Sequence, residues 1–375
     1  MSPSIRDKSF LQKYLPGHFN NPAGLAVRLI RTGDRAALYA MWTAALGLLL
    51  TPLDMLLEAN EKKLHRDAEE SDLPIVLVCG PSRAGTTLAE QILIASTSPA
   101  YLNNLTSLFP RSPIIANRVF SRFVGRRSEE FRSYYGKSVG LGGPNDALYL
   151  WDRWLGEGHR SAAVSPEATL DLAGMRQLFR ALRQEHGQPV VNKNNHLNCC
   201  AHLVAPALPQ AHFICMRRQR EHLAQSLLLG RRDIHGDLSV AYGIPSPVGG
   251  PSADPIADVC RQVLYHERMA AWQQAQVGPE RFWIIQYEDL CRDPKAFALR
   301  VSDELFRGTA KPAEVSELKP FEPSTRIRVT PQEHDQILRT FEELDGHEEE
   351  YWVAPGAVPA ASGQSATPAQ KEVRA

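Results

Sequence analysis

Residues 73–93 read L-P-I-V-L-V-C-G-P-S-R-A-G-T-T-L-A-E-Q-I-L. The apolar, β-branched run from Ile75 to Cys79 has the length and composition of a strand buried on both faces. A loop bounded by glycine and proline follows, and from Leu88 the apolar residues recur with a helical period. Strand, glycine-rich loop and helix N-terminus together form a cradle for an anion, because successive backbone N–H groups converge on it and the helix dipole favours its charge. The spacing from Gly80 to Thr87, G-x-x-x-x-G-T-T, is close to a Walker A loop, but Thr86 stands where the P-loop lysine belongs. The cation lies inside the loop instead, at Arg83. That substitution argues against an ordinary ATPase or GTPase.

A second α/β stretch begins at Pro189, P-V-V-N-K-N-N-H-L, and continues as A-L-P-Q-A-H-F-I-C-M-R-R-Q-R-E-H-L-A-Q-S. It reads as a strand ending at Lys193, a helix over Leu197 to Leu208, a strand from His212 to Met216 and a helix from near Arg220. Arg218 follows a strand, and Ser226 comes eight residues later, about two turns into the next helix. A third stretch, Phe282 to Gln286, reads as a strand running into Tyr-Glu-Asp-Leu and a helix, where Glu288 and Asp289 suit the helix dipole. This alternation predicts an α/β, three-layer, P-loop-like fold: a central parallel sheet flanked by helices, with its strand ends converging on one ligand edge, plus an N-terminal apolar helix.

The loop P-S-R-A-G-T-T resembles the 5′-phosphosulfate loop of the sulfotransferases, usually P-[KR]-S-G-T-T, and the arginine–serine pair at Arg218 and Ser226 resembles their 3′-phosphate motif. The N-K segment at Asn192-Lys193 is most similar to the tyrosylprotein branch and related bacterial members. The resemblance covers roughly Pro74 to Arg307. It implies sulfuryl transfer from 3′-phosphoadenosine 5′-phosphosulfate, without a metal, to a hydroxyl or amine. It implies donor contacts from Ser82, Arg83, Ala84, Gly85, Thr86 and Thr87 at the 5′-phosphate and from Arg218 and Ser226 at the 3′-phosphate. Arg83 would neutralise charge on the leaving phosphate, and Lys193 would face the sulfonate.

Where that branch carries a catalytic glutamate, the matching segment Asn103 to Pro110 has no carboxylate. His196, with a suitable intrinsic pKa, and Asp146, in the loop G-G-P-N-D-A, are the candidate bases. The rival readings are a kinase-like P-loop phosphotransferase, which needs the missing lysine, and a catalytically silent nucleotide-binding module.

Lys and Arg total 42 and so do Asp and Glu, so no global field draws the chain to nucleic acid. Positive charge is local: Arg217, Arg218, Arg220, Arg231 and Arg232 flank the expected 3′-phosphate site. Six cysteines without zinc-like spacing read as core residues in a reducing compartment, and the scattered histidines do not make a metal site.

Three regions follow: residues 1–70, an apolar and membrane-associating helical segment; 71–354, the catalytic domain; and 355–375, a low-complexity tail expected to be disordered. Ala36 to Leu53 carries no charge and is a borderline span closed early by Pro52 and Asp54, with basic residues on both flanks. A helix packed on the domain itself is the competing reading. With no secretory signal, the expectation is a bacterial-type enzyme in the cytoplasm at the inner face of the membrane, acting on a carbohydrate or lipid-linked acceptor. The aromatic-rich insert Asn117 to Arg160, with Tyr134, Tyr135, Tyr149, Trp151 and Trp154, reads as helical and as core or acceptor cover, and Ile234 to Pro255 as a long loop at the site's mouth.

Overall fold

The computed structural model describes residues 35–123, 140–156, 170–248, 254–308 and 312–355. Tyr134, Tyr135, the first 34 residues and the tail beyond 355 lie outside them.

Five parallel strands form the sheet: β1 (Ile75–Cys79), β2 (Ala100–Tyr101), β3 (Val190–Lys193), β4 (Ala211–Arg217) and β5 (Phe282–Gln286), in the order β2-β3-β1-β4-β5. Every residue of β1 is buried, as its unbroken apolar run requires of a central parallel strand. Because all neighbours are parallel, Cys79, Lys193, Arg217 and Gln286 end on the same edge.

The two sheet faces have different jobs. Ile75, Leu77, Val190, Phe213 and Phe282 face a layer that includes Trp151, Trp154 and Phe179, the last on the helix α6 (Leu172–His186). Val76, Val78, Val191, Ile214 and Met216 face the helix that leaves the glycine-rich loop, α2 (Thr86–Thr97), with Ala89, Ile92 and Leu93. Lys193 shares the side of Val191 by the period of two. Trp151 and Trp154, on the short helix α5 (Leu148–Leu155), are therefore core, and they pack edge to face at 5.1 Å.

The chain departs from expectation after β3. Instead of one helix over Leu197 to Leu208 there is a 3-10 turn, Asn195–Cys199, and a single helical turn, α7 (Ala201–Val204). The Asn194 side chain accepts from the His196 N–H at 2.9 Å, a local cap that competes with helix, and extended φ at Cys200 (−143°) separates the two pieces.

The N-terminal apolar segment lies within a helix, α1 (Arg35–Asp67), and among the described residues no helix is long and apolar enough to cross a membrane. Leu46, Leu50, Leu53 and Leu57 of α1 pack on Leu105, Leu108 and Phe109, a stripe at helical spacing. Its two buried carboxylates bind donors at and just before the N-terminus of the helix α4 (Pro113–Phe120), which follows the short α3 (Asn104–Leu108). Asp54 accepts from Arg111 N at 3.2 Å and Ser112 Oγ at 2.8 Å; Glu61 accepts from the N–H groups of Ile114 and Ile115 at 3.2 and 2.8 Å. Negative charge at a helix N-terminus and otherwise unmet donors explain both acids, and leaving one such buried donor unmet costs about 1–3 kcal/mol. The six cysteines are all buried and free.

Candidate active site

The glycine-rich loop turns on three positive-φ residues, Gly80 (132°), Arg83 (74°) and Gly85 (92°). A Cβ at Gly80 would lie 2.5 Å from the Met216 carbonyl oxygen, and one at Gly85 would lie 2.3 Å from the Tyr287 ring. The loop thus passes against β4 on one side and against the residue after β5 on the other, which only glycine permits. The reverse turn Pro81 to Ala84 closes with a 3.2 Å hydrogen bond from Ala84 N to Pro81 O. Thr86 and Thr87 open α2, and the Thr86 hydroxyl donates to Asn195 Oδ1 at 2.8 Å.

Arg83 and the Arg218–Ser226 pair meet. Arg83 Nε donates to Ser226 Oγ at 3.0 Å, from the helix α8 (Arg220–Gly230), and Arg218 donates to the Arg83 carbonyl oxygen at 2.9 Å. A second Arg218 nitrogen donates to the Ser324 carbonyl, its guanidinium lies 5.0 Å from the centroid of the Tyr287 ring, and its buried Nε has no hydrogen-bond partner. Burial lowers the Arg218 pKa, yet a guanidinium stays charged at neutral pH. Glu288, expected to serve its own helix, reaches across to α8: it accepts from Gln219 N at 3.2 Å and from Gln286 Nε2 at 2.6 Å.

The expected basic cluster is mostly neutralised. Arg217 and Arg220 pair with Glu267 at 3.2 and 2.8 Å, buried Arg231 with Asp258 at 3.5 Å, and Arg232 with Glu333 at 2.7 Å. Those acids come from α9 (Pro255–Val277) and α13 (Pro331–Leu344), the latter preceded by α10 (Tyr287–Arg292), α11 (Pro294–Glu304) and α12 (Pro312–Glu317). Arg218 is the member of that cluster that reaches the glycine-rich loop.

On the other side of β1, Lys193 is 1% exposed and its ammonium lies 2.6 Å from Asp146 Oδ1, which is 29% exposed. The pair is held from behind. Asn192 accepts from Trp151 Nε1 at 3.0 Å and donates to the Asn145 carbonyl at 3.2 Å, which pins the Asp146 loop beside the strand end. His196, in the turn after β3, is half-buried, with its backbone amide committed to Asn194. The loop after α8 reaches the site too, since a Cβ at Gly243 would lie 2.8 Å from Ser82 Oγ.

Sequence reasoning missed Glu90, Asn195, Tyr287 and His266. His266 is a buried bridge: Asn198 Nδ2 lies 2.9 Å from its Nδ1 and the Ile244 carbonyl 2.9 Å from its Nε2. Burial pushes its pKa down to about 4, so the ring is neutral and donates from Nε2. No sequence signal marks it, because its partners come from loops distant in sequence.

The strand ends of this parallel sheet thus carry a lysine-free glycine-rich loop, an arginine–serine pair beside it and a lysine on the adjoining strand. Residues 74–305 match the sulfotransferase family, and the chain belongs to it. Among solved structures, sulfotransferase STF9 from Mycobacterium avium is similar, with 15% identity and a TM-score of 0.52 over 82% of this chain and 84% of that one. Sulfotransferase STF1 from Mycobacterium tuberculosis H37Rv is 16% identical, over 89% and 93% of the two chains, with a TM-score of 0.44. No curated protein sequence matches the chain significantly.

Proposed function

We propose that this chain moves a sulfuryl group from 3′-phosphoadenosine 5′-phosphosulfate to the hydroxyl or amine of a carbohydrate or lipid-linked acceptor. The observation that carries the reading is the Arg83–Ser226–Arg218 junction, which joins a phosphate-type loop to a second cationic side chain. Gly85 to Thr87 would hold the 5′-phosphate, Arg218 and Ser226 the 3′-phosphate, and Arg83 the oxygen that bridges phosphorus and sulfur.

In the reaction the acceptor oxygen forms a bond to sulfur as the bond from sulfur to the bridging oxygen breaks. The electron pair leaves on the 5′-phosphate, and the acceptor's proton passes to a carboxylate. We assign this role of base to Asp146 rather than to the His196 imidazole, because Asp146 is partly open to solvent and in direct contact with Lys193. Lys193 would stabilise the sulfonate oxygens as charge builds on them.

Calorimetric titration tests the donor assignment. 3′-Phosphoadenosine 5′-phosphate is expected to bind at least about tenfold more tightly than adenosine 5′-monophosphate, a gain of about 1.4 kcal/mol or more. Equal affinity would remove the donor reading and return a phosphotransferase to consideration.

The lipid-linked acceptor is supported by α1, whose outward side carries the exposed Leu49, Met55 and Leu56, followed by exposed Lys62, Lys63 and Arg66. Apolar side chains beside cations suit an anionic inner-membrane surface. The chain is expected to sediment with vesicles containing anionic phospholipid, and Leu49→Glu with Leu56→Glu to abolish this. No sedimentation at low salt would restrict the acceptor to soluble molecules.

A further inference from the structure

Glu90 lies on α2, about one turn beyond Thr86 and Thr87, and is 1% exposed. The backbone amide and the ammonium of Lys193 both act on its carboxyl and favour the charged form, while Oε1 has no hydrogen-bond partner. A carboxylate placed there would sit in the field of the ammonium that Asp146 already neutralises. Three ionisable groups, two acids and one base, thus share the end of β3, and the chain has placed one of the acids where water cannot reach it.

We propose that Glu90 is a positioning residue for sulfuryl transfer: buried between α2 and β3 beside the strand end that carries Lys193, it backs that strand end and leaves the ammonium with Asp146 as its carboxylate partner. The proposal rests on the sulfotransferase reading of Lys193. The physical argument is one of charge. A neutral Glu90 leaves Lys193 and Asp146 as a balanced pair, and an incoming anionic sulfonate can then share the ammonium. An ionised Glu90 would give the ammonium a second carboxylate and add a negative charge facing an anionic donor, weakening the stabilisation that Lys193 can give.

The charged groups that act on Glu90 are Lys193 from β3 and Asp146 from the loop before α5. The other elements packed on α2, namely β1, β4, α11 and α12, contribute apolar side chains such as Val78, Met216, Val301 and Val315 to that layer. Burial outweighs the attraction of Lys193, and the Glu90 pKa is raised to about 8. The group therefore keeps its proton at neutral pH and loses it in mildly alkaline solution.

Two linked measurements test this on the full chain. The first is turnover of radiolabelled donor as a function of pH, with 4-nitrophenol as probe acceptor and water as the background acceptor. Wild-type turnover is expected to fall on the alkaline side of about pH 8, by up to tenfold per pH unit. Glu90→Gln, which copies the neutral carboxyl, is expected to keep neutral-pH turnover within about threefold and to lack that alkaline limb. Glu90→Ala is expected to lose about tenfold or more at every pH, with affinity for 3′-phosphoadenosine 5′-phosphate unchanged. An unaltered alkaline limb in Glu90→Gln, or a loss at neutral pH as deep as that of Glu90→Ala, overturns the proposal.

The second measurement is thermal unfolding across the same variants, which needs no turnover. A carboxyl whose folded pKa is raised contributes stability that is complete below its unfolded pKa of about 4.5 and is lost as pH rises through the folded value of about 8. Wild-type Tm should therefore fall relative to Glu90→Gln between about pH 5 and pH 8, and the two should run parallel below that window. Parallel curves throughout overturn the neutral state of Glu90. If the Tm difference appears and wild type turns over no donor, it is the sulfotransferase reading that has failed, and the positioning role falls with it.

Discussion

Arg218→Ala is expected to weaken binding of 3′-phosphoadenosine 5′-phosphate by about a hundredfold or more, to the level at which wild type binds adenosine 5′-monophosphate. The side chain is 6% exposed and lies over Tyr287, so the phosphate it meets would be largely removed from water. Truncating one partner of a buried, hydrogen-bonded charge pair costs about 2–5 kcal/mol, because the other charge is left without its donor. The neighbouring arginines cannot substitute: Arg217 and Arg220 are engaged by Glu267, and Arg231 and Arg232 by Asp258 and Glu333. Affinity for adenosine 5′-monophosphate should change little, and that contrast separates lost recognition from a disturbed loop. The control matters because Arg218 also supports the loop through the Arg83 carbonyl. Arg218→Lys should recover only part of the affinity, since a point charge cannot serve phosphate, Arg83 and Ser324 together. Unchanged discrimination between the two nucleotides in Arg218→Ala would mean that the 3′-phosphate is read elsewhere.

Much of the glycine-rich loop and its flanking strands was legible in the chain because its information is local. A run of five apolar residues rich in β-branched side chains, closed by glycine and proline, reads as a central strand, and a glycine-rich loop leading into a helix reads as an anion cradle. The strands Ile75–Cys79 and Phe282–Gln286 fall where their composition predicts. The charge balance of the arginines was not legible, because each is neutralised by an acid that arrives from a helix remote in sequence, such as Glu267 for Arg217. The broken helix after β3 failed for another reason. Its apolar residues are helical in period, but the Asn194 cap and the Asn195 bond to Thr86 claim the first turn for the site. The eighteen uncharged residues from Ala36 invited a membrane reading. Asp54 and Glu61, at the helix face that meets α4, are what fasten that helix to the domain.

The Lys193–Asp146 pair was legible only as single letters. Lys193 was marked by its place after a strand, and Asp146 by its loop, but nothing in a one-dimensional reading joins residues 47 apart. What joins them is topology. β3 is inserted between β2 and β1, so the loop that follows β2 and α4 passes over its end, where Asn192 and Trp151 fix it. Glu90 was hidden by its own helix, in which a glutamate reads as solvent-facing until the packing shows α2 buried on that side.

Turnover should therefore collapse in Lys193→Met, by about a hundred- to a thousandfold, while 3′-phosphoadenosine 5′-phosphate binds within about threefold of wild type. The product nucleotide lacks the sulfonate, so an interaction made with the transferring group is invisible in its affinity. Asp146→Asn should cost a similar factor if it is the base, and His196→Gln only a few-fold. The reverse order of those two would move the base to His196. The two deletions differ in what they leave behind. Lys193→Met leaves a carboxylate that solvent can reach, so folding should tolerate it; Asp146→Asn strands a buried ammonium. Glu90 is then an acid left in the field of Lys193, and Asp146 is one of the charges that hold its pKa up. Asp146→Asn should accordingly let Glu90 ionise at lower pH and take over the ion pair, which protects the fold but withdraws the ammonium from the sulfonate. Combining Asp146→Asn with Glu90→Gln removes that refuge. The double variant should be less stable than the sum of its parts, a coupling of about 0.5–3 kcal/mol in thermal or denaturant unfolding. Strict additivity would show that the two carboxyls do not share Lys193.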